Sequence, residues 1–447
     1  SLSLSYEKFT MPNGLQVVLH QDHSDPVMSY AIMYHVGSSR ETPGRTGFAH
    51  LFEHLLFSGS ENVPNGVFDK VIENAGGSNN GFTSRDVTAY FESFPKNALE
   101  KILWLESDRM GFFINSVTPR NLAIQQNVVQ NEKRQGEDNS PYGFTNYVIS
   151  KNLYPASHPY NWEVIGEMED LTNATVDDVR GFYENFYGPN NATLVLAGDF
   201  DTDSVKLLLD KYFGEVKSRG QVPARTAMPV TLSESKRLYH EDNFANVPEI
   251  NLVWPVPENY TKDAYALNFL AEILASGKKA PMYKVLVKEK QLTSRVSAYN
   301  GAEELAGEFA ISATANEGKT LKEIEDAIHE AFTSFETEGF TDREVDRIKA
   351  TMEKDFYQGL NSVLNKSIQM ASYNTFLNDP GYVGKDIENI KAVTREDIMR
   401  VYEKYIKGRP HIVTSFVPKG QPEMMAENSV RAVVNEEDIT MASQVAI

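Results

Sequence analysis

The sequence predicts an α+β protein made of two homologous α/β sandwich domains, each with helices packed on a largely antiparallel sheet. An internal echo, the mixture of β-rich runs with long amphipathic helices, and the chain length carry this prediction. Thr175-Val176-Asp177-Asp178-Val179, followed by Tyr183, Phe186 and Leu194, returns as Thr394-Arg395-Glu396-Asp397-Ile398, followed by Tyr402, Tyr405 and Val413. The offset is 219 residues in a chain of 447, the mark of a duplication. His20-Gln21-Asp22 before Pro26 resembles His240-Glu241-Asp242 before Pro248, at offsets of 220 and 222. A chain this long exceeds what one core supports and suits two large domains.

Taken in order, Leu15 to His20 is a β-rich run. From Thr46 to Phe57, Phe48, Leu51, Phe52, Leu55 and Leu56 recur at helical spacing and form an apolar stripe. Thr118 as N-cap and Pro119 at the first helical position open a helix that runs to about Gln135. Each Thr-x-x-Asp echo is a capped helix followed by a strand, Thr193 to Ala197 in the first copy. Lys217 to Ser233 holds Pro223, Pro229 and two small-polar clusters, which reads as a linker. The domains are therefore expected at 1–222 and 223–447. The tail from Gln421 is acidic and helix-compatible, expected to be loosely ordered or to reach a partner.

Composition narrows the function. With 41% hydrophobic and 23% charged residues the chain is globular, and no run of eighteen apolar residues offers a membrane span. A net charge of −19 without a basic cluster argues against nucleic acid. The absence of cysteine excludes disulfides and thiolate metal sites. A first residue Ser1 in place of methionine is read as the trace of either a removed signal peptide or a trimmed chain. It predicts a bacterial periplasmic location, with the cytoplasm as the alternative.

The chemistry concentrates in His50-Leu51-Phe52-Glu53-His54. Histidines four apart share one side of a helix and can reach one metal ion, and Glu53 stands beside them as a base for an activated water. By chance HxxEH occurs on the order of once in a hundred such chains, so context must carry the assignment. His50, Glu53 and His54 fall opposite the apolar stripe, with Phe57, which suits a cleft. A catalytic zinc needs a third protein ligand. On the helix after Thr118, Leu122, Ile124, Val128 and Val129 define an apolar arc, and Glu132 falls in its middle. A buried carboxylate needs a metal or a cation, so Glu132 is the candidate third ligand, with a salt bridge as the alternative. His240, His329 and His411 stand isolated and read as surface or satisfied core histidines.

HxxEH followed by Glu132, 78 residues after His54 in Val128-Val129-Gln130-Asn131-Glu132, resembles the pitrilysin/insulinase (M16) metallopeptidases. A further match is Gly76-Gly77-Ser78-Asn79-Asn80-Gly81-Phe82-Thr83-Ser84, leading to Asp86, Thr88 and Tyr90. The resemblance implies one Zn2+ held by His50, His54 and Glu132, with Glu53 as catalytic base. It implies an edge strand at Asn80, Gly81, Phe82 and Thr83 along which an extended peptide adds. Many members carry a second glutamate where this chain has Gln125, which implies a changed contact behind the ligands. Active members draw an arginine and a tyrosine from the other half of a clamshell. Here Val287 and Ser294 stand at those positions, and Arg295 and Tyr299 are out of register. Single-chain members are about twice as long, so this chain corresponds to half of the enclosed chamber. The expected assembly is a heterodimer with a homologous subunit that supplies the arginine and tyrosine, a homodimer being less favoured. The expected activity is zinc-dependent cleavage of extended or unfolded peptides. The alternatives are a non-catalytic scaffold, like respiratory-complex core subunits, or a peptide-capture subunit.

Overall fold

The computed structural model describes residues 2–435, and they form two six-stranded sheets. The first holds β1 (Glu7–Thr10), β2 (Gln16–Gln21), β3 (Val27–Tyr34), β4 (Ser78–Thr83), β5 (Thr88–Pro95) and β6 (Ala192–Gly198), in the order β1-β2-β6-β3-β5-β4. The second holds β7 (Lys236–Asp242), β8 (Glu249–Val256), β9 (Thr293–Ala302), β10 (Gly307–Ala315), β11 (Ile412–Pro418) and β12 (Val430–Arg431), in the order β12-β7-β11-β8-β10-β9. Both are largely antiparallel, with β2 parallel to β6 and β7 parallel to β11.

The sequence echoes fall on equivalent elements. His20 lies in β2 and His240 in β7, and each strand pairs with the strand that follows a Thr-capped helix. Thr175 caps helix Val176–Phe186 through a capping box with Asp178, and Thr394 caps helix Arg395–Val401 through one with Asp397. The predicted α+β duplication is the architecture observed. No regular helix or strand forms between residues 217 and 235.

The compact units, in contrast, are discontinuous in sequence. One contains the described residues to Asn131, Trp162–Ala224 and Glu353–Glu388; the other contains Glu132–Asn161, Arg225–Met352 and the described residues from Asn389. In the first unit, Val17, Leu19, Ile32, Leu194 and Leu196 face one core, shared with Leu51, Phe52 and Leu55. Their neighbours Val18, Met33, Ala89 and Val195 face the other side and pack on Met370 and Ala371 of helix Val363–Leu377. Burial on both faces is why Val17, Val18 and Leu19 of β2 and Leu194, Val195 and Leu196 of β6 are consecutive apolar residues without a polar alternation. Asn374 fastens the covering helix by donating to Gln16 and Thr193, at 2.8 Å each. The second unit uses the converse piece: Phe144, Val148, Ile149 and Leu153 from the first half pack with Leu238, Val253, Ile412 and Phe416. Each sheet is thus covered by a segment that the other copy supplies.

The tail departs from its helix-compatible expectation. Val430–Arg431 pairs in parallel with Leu238 and Tyr239 of β7, because β7 otherwise ends the sheet with unpaired backbone groups. The part of the expected partner-reaching tail from residue 436 lies outside the described residues. No helix among the described residues is long and apolar enough to cross a membrane.

Candidate metal centre

Helix Phe48–Phe57 carries the HxxEH residues. Phe48, Leu51, Phe52, Leu55 and Leu56 are all buried, and the Phe52 ring stacks on Tyr187 at 4.2 Å and Tyr183 at 5.6 Å. These contacts fix the helix's rotation and leave His50, Glu53 and His54 half-buried on the far side.

Its N-terminus is held by residues distant in sequence. Gly47, at the cap position, offers no side chain and sits at φ 81°. A Cβ there would come within 2.8 Å of the Ile165 carbonyl oxygen, so glycine is required twice over. The Glu41 carboxylate takes the capping role, accepting from Gly47 N at 2.9 Å and Ala49 N at 2.8 Å. Burial pushes the Glu41 carboxyl well above its usual range, against the pull of the Ala49 and Gly47 N–H groups. Thr46 donates through both N and Oγ1 to Asp170, at 3.1 and 2.6 Å. Glu41→Ala would strand the two N–H groups and is expected to cost about 1–3 kcal/mol, read as a lower denaturation midpoint.

The Nε2 atoms of His50 and His54 lie 3.3 Å apart. Two ligands at the usual zinc–nitrogen distance on a tetrahedral centre are separated by about 3.3 Å. Glu132 completes the group: its ligand atom and those of His50 and His54 all lie within 4.8 Å of one another. Two imidazoles and one carboxylate are a donor set that fits zinc. Burial and the neighbouring His54 lower the His50 pKa to about 4, so its imidazole is neutral at neutral pH, as a metal ligand must be.

Glu132 rides at the end of helix Pro119–Lys133, which starts where the sequence predicts. Thr118 Oγ1 accepts from Asn121 N at 3.2 Å. The apolar arc predicted around Glu132 is not the buried face of this helix. Leu122 and Val129 are buried, but Ile124 is 48% exposed, Val128 is 38% exposed, and Glu132 is exposed with them. The helix buries only a narrow strip, with Gln126 donating to the Leu171 and Ala174 carbonyls beside it. Glu132 therefore approaches the histidines from an open side and carries no burial penalty to be relieved. A π-helical turn, Arg134–Asp138, follows, closed by a buried Lys133–Glu137 ion pair of 2.6 Å.

Strand β4 ends the first sheet and pairs only with β5 among the described residues, with Asn80 opposite Phe91, Gly81 opposite Tyr90, Phe82 opposite Ala89 and Thr83 opposite Thr88. The Thr83 hydroxyl donates to Glu53 Oε2. Gln125 Nε2 donates to Ser58 Oγ at 3.1 Å, and Ser58 Oγ donates to the His54 carbonyl at 3.2 Å, so Gln125 braces the backbone of the helix end. In the second half, Tyr299 is 70% exposed on β9, where Arg295 is also exposed. His240 packs between Phe144 and Phe416, and His411 stacks on Trp254. His50, His54 and Glu132 form the one group of potential metal ligands found among the described residues. Sequence reasoning missed Glu41, Asp170 and the Thr83 hydroxyl; only the capless Gly47 hinted that another residue must cap this helix.

Residues 16–151 match the family described as Insulinase (Peptidase family M16), and residues 173–352 match the Peptidase M16 inactive domain. The zinc protease PqqE of Helicobacter pylori is 29% identical over 413 residues, 90% of this chain and 90% of its own length. The uncharacterized zinc protease YmxG of Bacillus subtilis is 22% identical over 397 residues, 88% of this chain and 93% of its own. The crystal structure of a protease from Helicobacter pylori superposes with a TM-score of 0.86 at 28% identity, covering 93% of this chain and 100% of that one. The periplasmic protease PqqL from Escherichia coli shares the fold at 16% identity and TM-score 0.77; the match covers 98% of this chain and 52% of PqqL. With two matching family domains in order and a zinc protease aligned along nine-tenths of its length, the chain belongs to the M16 peptidase family.

Proposed function

We propose that the chain is the zinc-bearing subunit of a peptidase that cleaves extended or unfolded peptides inside a chamber completed by a homologous partner. The convergence of His50, His54 and Glu132 carries this reading. When bound, zinc supplies Lewis-acid polarisation of water and of the scissile carbonyl. Glu53 takes the proton of the attacking water on its carboxylate and returns it to the leaving amine. The backbone of β4, from Asn80 to Thr83, pairs with the peptide as an added strand, which selects for extended substrates over particular sequences.

The need for a partner follows from what the second half lacks. Val287 and Ser294 offer neither the positive charge nor the phenol expected at those positions. The match of residues 173–352 to an inactive domain supports the same division of labour, as does the chain's coverage of 52% of PqqL. A donor aimed at the developing oxyanion contributes about 3–4 kcal/mol, so its absence leaves the lone chain slow. A periplasmic location belongs to this proposal and is tested by cell fractionation.

The deciding experiment is hydrolysis of a mixed set of quenched fluorescent peptides by the chain alone and with its homologous subunit, alongside metal analysis. Equimolar zinc with activity only in the mixture is expected. Full activity from the lone chain would overturn the shared chamber, and bound zinc without cleavage in either case would favour a capture or scaffold subunit.

A further inference from the structure

Strand β4 is fastened to the HxxEH helix at two points. Burial alternates along β4, with Asn79, Gly81 and Thr83 more enclosed than Ser78, Asn80 and Phe82. At Gly81 the missing side chain allows a close approach: a Cβ there would come within 2.9 Å of the Ala89 carbonyl oxygen and 3.1 Å of Phe57 Cζ and of Tyr90 Cδ1. Two residues on, the Thr83 hydroxyl donates to Glu53 Oε2. Glu53 and Phe57 are one helical turn apart, about 6 Å. Gly81 and Thr83 are two strand residues apart, about 6.7 Å. Helix and strand therefore run side by side in opposite directions, matched turn for pleat.

We propose that Thr83 is a positioning residue that fixes the carboxylate of Glu53 and couples it to a peptide lying along β4. The proposal rests on the peptidase reading above and gives the Thr83 side chain a task distinct from the backbone pairing of the same residue. A glutamate side chain has several rotatable bonds, and a base must be held within hydrogen-bond reach of the proton it abstracts. With Oε2 engaged by Thr83, rotation of the carboxylate is restricted. A base oriented by a third group is a recurring requirement of activated nucleophiles. Here the orienting group lies on the strand that receives the substrate, so a peptide that pairs in register with β4 also steadies the base.

Threonine is suited to the position because its branched side chain favours a strand and its hydroxyl supplies the donor. The test separates these properties. Thr83→Val keeps the branched shape and deletes the hydroxyl, whereas Thr83→Ser keeps the hydroxyl and loses the methyl group. In the complex with the homologous subunit, Thr83→Val is expected to lower kcat by about 10–100-fold, with KM within about twofold of wild type and zinc content unchanged. Thr83→Ser is expected to recover kcat to within about threefold. A crystal structure of Thr83→Val should place the Glu53 carboxylate in more than one orientation.

Wild-type kcat in Thr83→Val would overturn the proposal while leaving the peptidase reading intact. So would a loss that Thr83→Ser does not restore, or one explained by raised KM or missing zinc. A wild-type complex that cleaves no peptide, or a Glu53→Gln complex that cleaves normally, would instead overturn the peptidase reading and this proposal with it.

Discussion

Glu53→Gln is expected to leave about one zinc per chain in place and to lower kcat by about 10²–10⁴-fold. The substitution keeps side-chain length and the ability to meet the Thr83 hydroxyl through the amide oxygen, but it removes the atom that takes the proton. Glu53 is not one of the three grouped ligand residues, so the metal should not respond. Metal analysis and peptide hydrolysis on one preparation check both halves of the expectation. Near-normal turnover in this variant would remove Glu53 from the mechanism.

The opposite signature is expected from the ligands. His50→Ala or Glu132→Gln removes one of three protein donors, and zinc affinity should fall by more than the roughly 10–100-fold typical of losing a supporting contact behind a ligand. Activity should fall with occupancy and recover in part when excess zinc is supplied. Fold stability sets the control. Glu132 is exposed at its helix end, so Glu132→Gln should leave the metal-free denaturation midpoint close to that of the metal-free wild type. A chelator titration followed by zinc addition reads these terms directly. Retention of tight zinc by Glu132→Gln would remove Glu132 from the donor set.

The HxxEH helix was legible in the sequence because a 3.6-residue period separates Leu51, Phe52 and Leu55 from His50, Glu53 and His54. The duplication was legible because Thr175 and Thr394 each need an Asp three residues on to complete a capping box. Glu132 was reached through a physical premise that the fold does not honour. Ile124 and Val128 are apolar yet exposed, and periodicity alone cannot say which apolar residues find cover. Glu41 and Asp170 were invisible for another reason. They act on backbone N–H groups, six and 124 residues away, and no pattern of side-chain types records a bond to a main chain. Local sequence marked Leu15 to His20 and Thr193 to Ala197 as β-rich, but their burial on both faces, and the helix that covers them, come from residues far along the chain.

That covering helix has an evolutionary consequence. A fragment ending within residues 217–235 would expose Val18, Met33, Ala89 and Val195, since Met370 and Ala371 lie on the missing piece. The complementary fragment would lose Phe144, Val148 and Ile149 from its own sheet. Bare apolar faces of this kind promote aggregation. Because each half covers the other half's sheet, neither can be deleted or transferred alone, and the repeated sequence is inherited as a single unit.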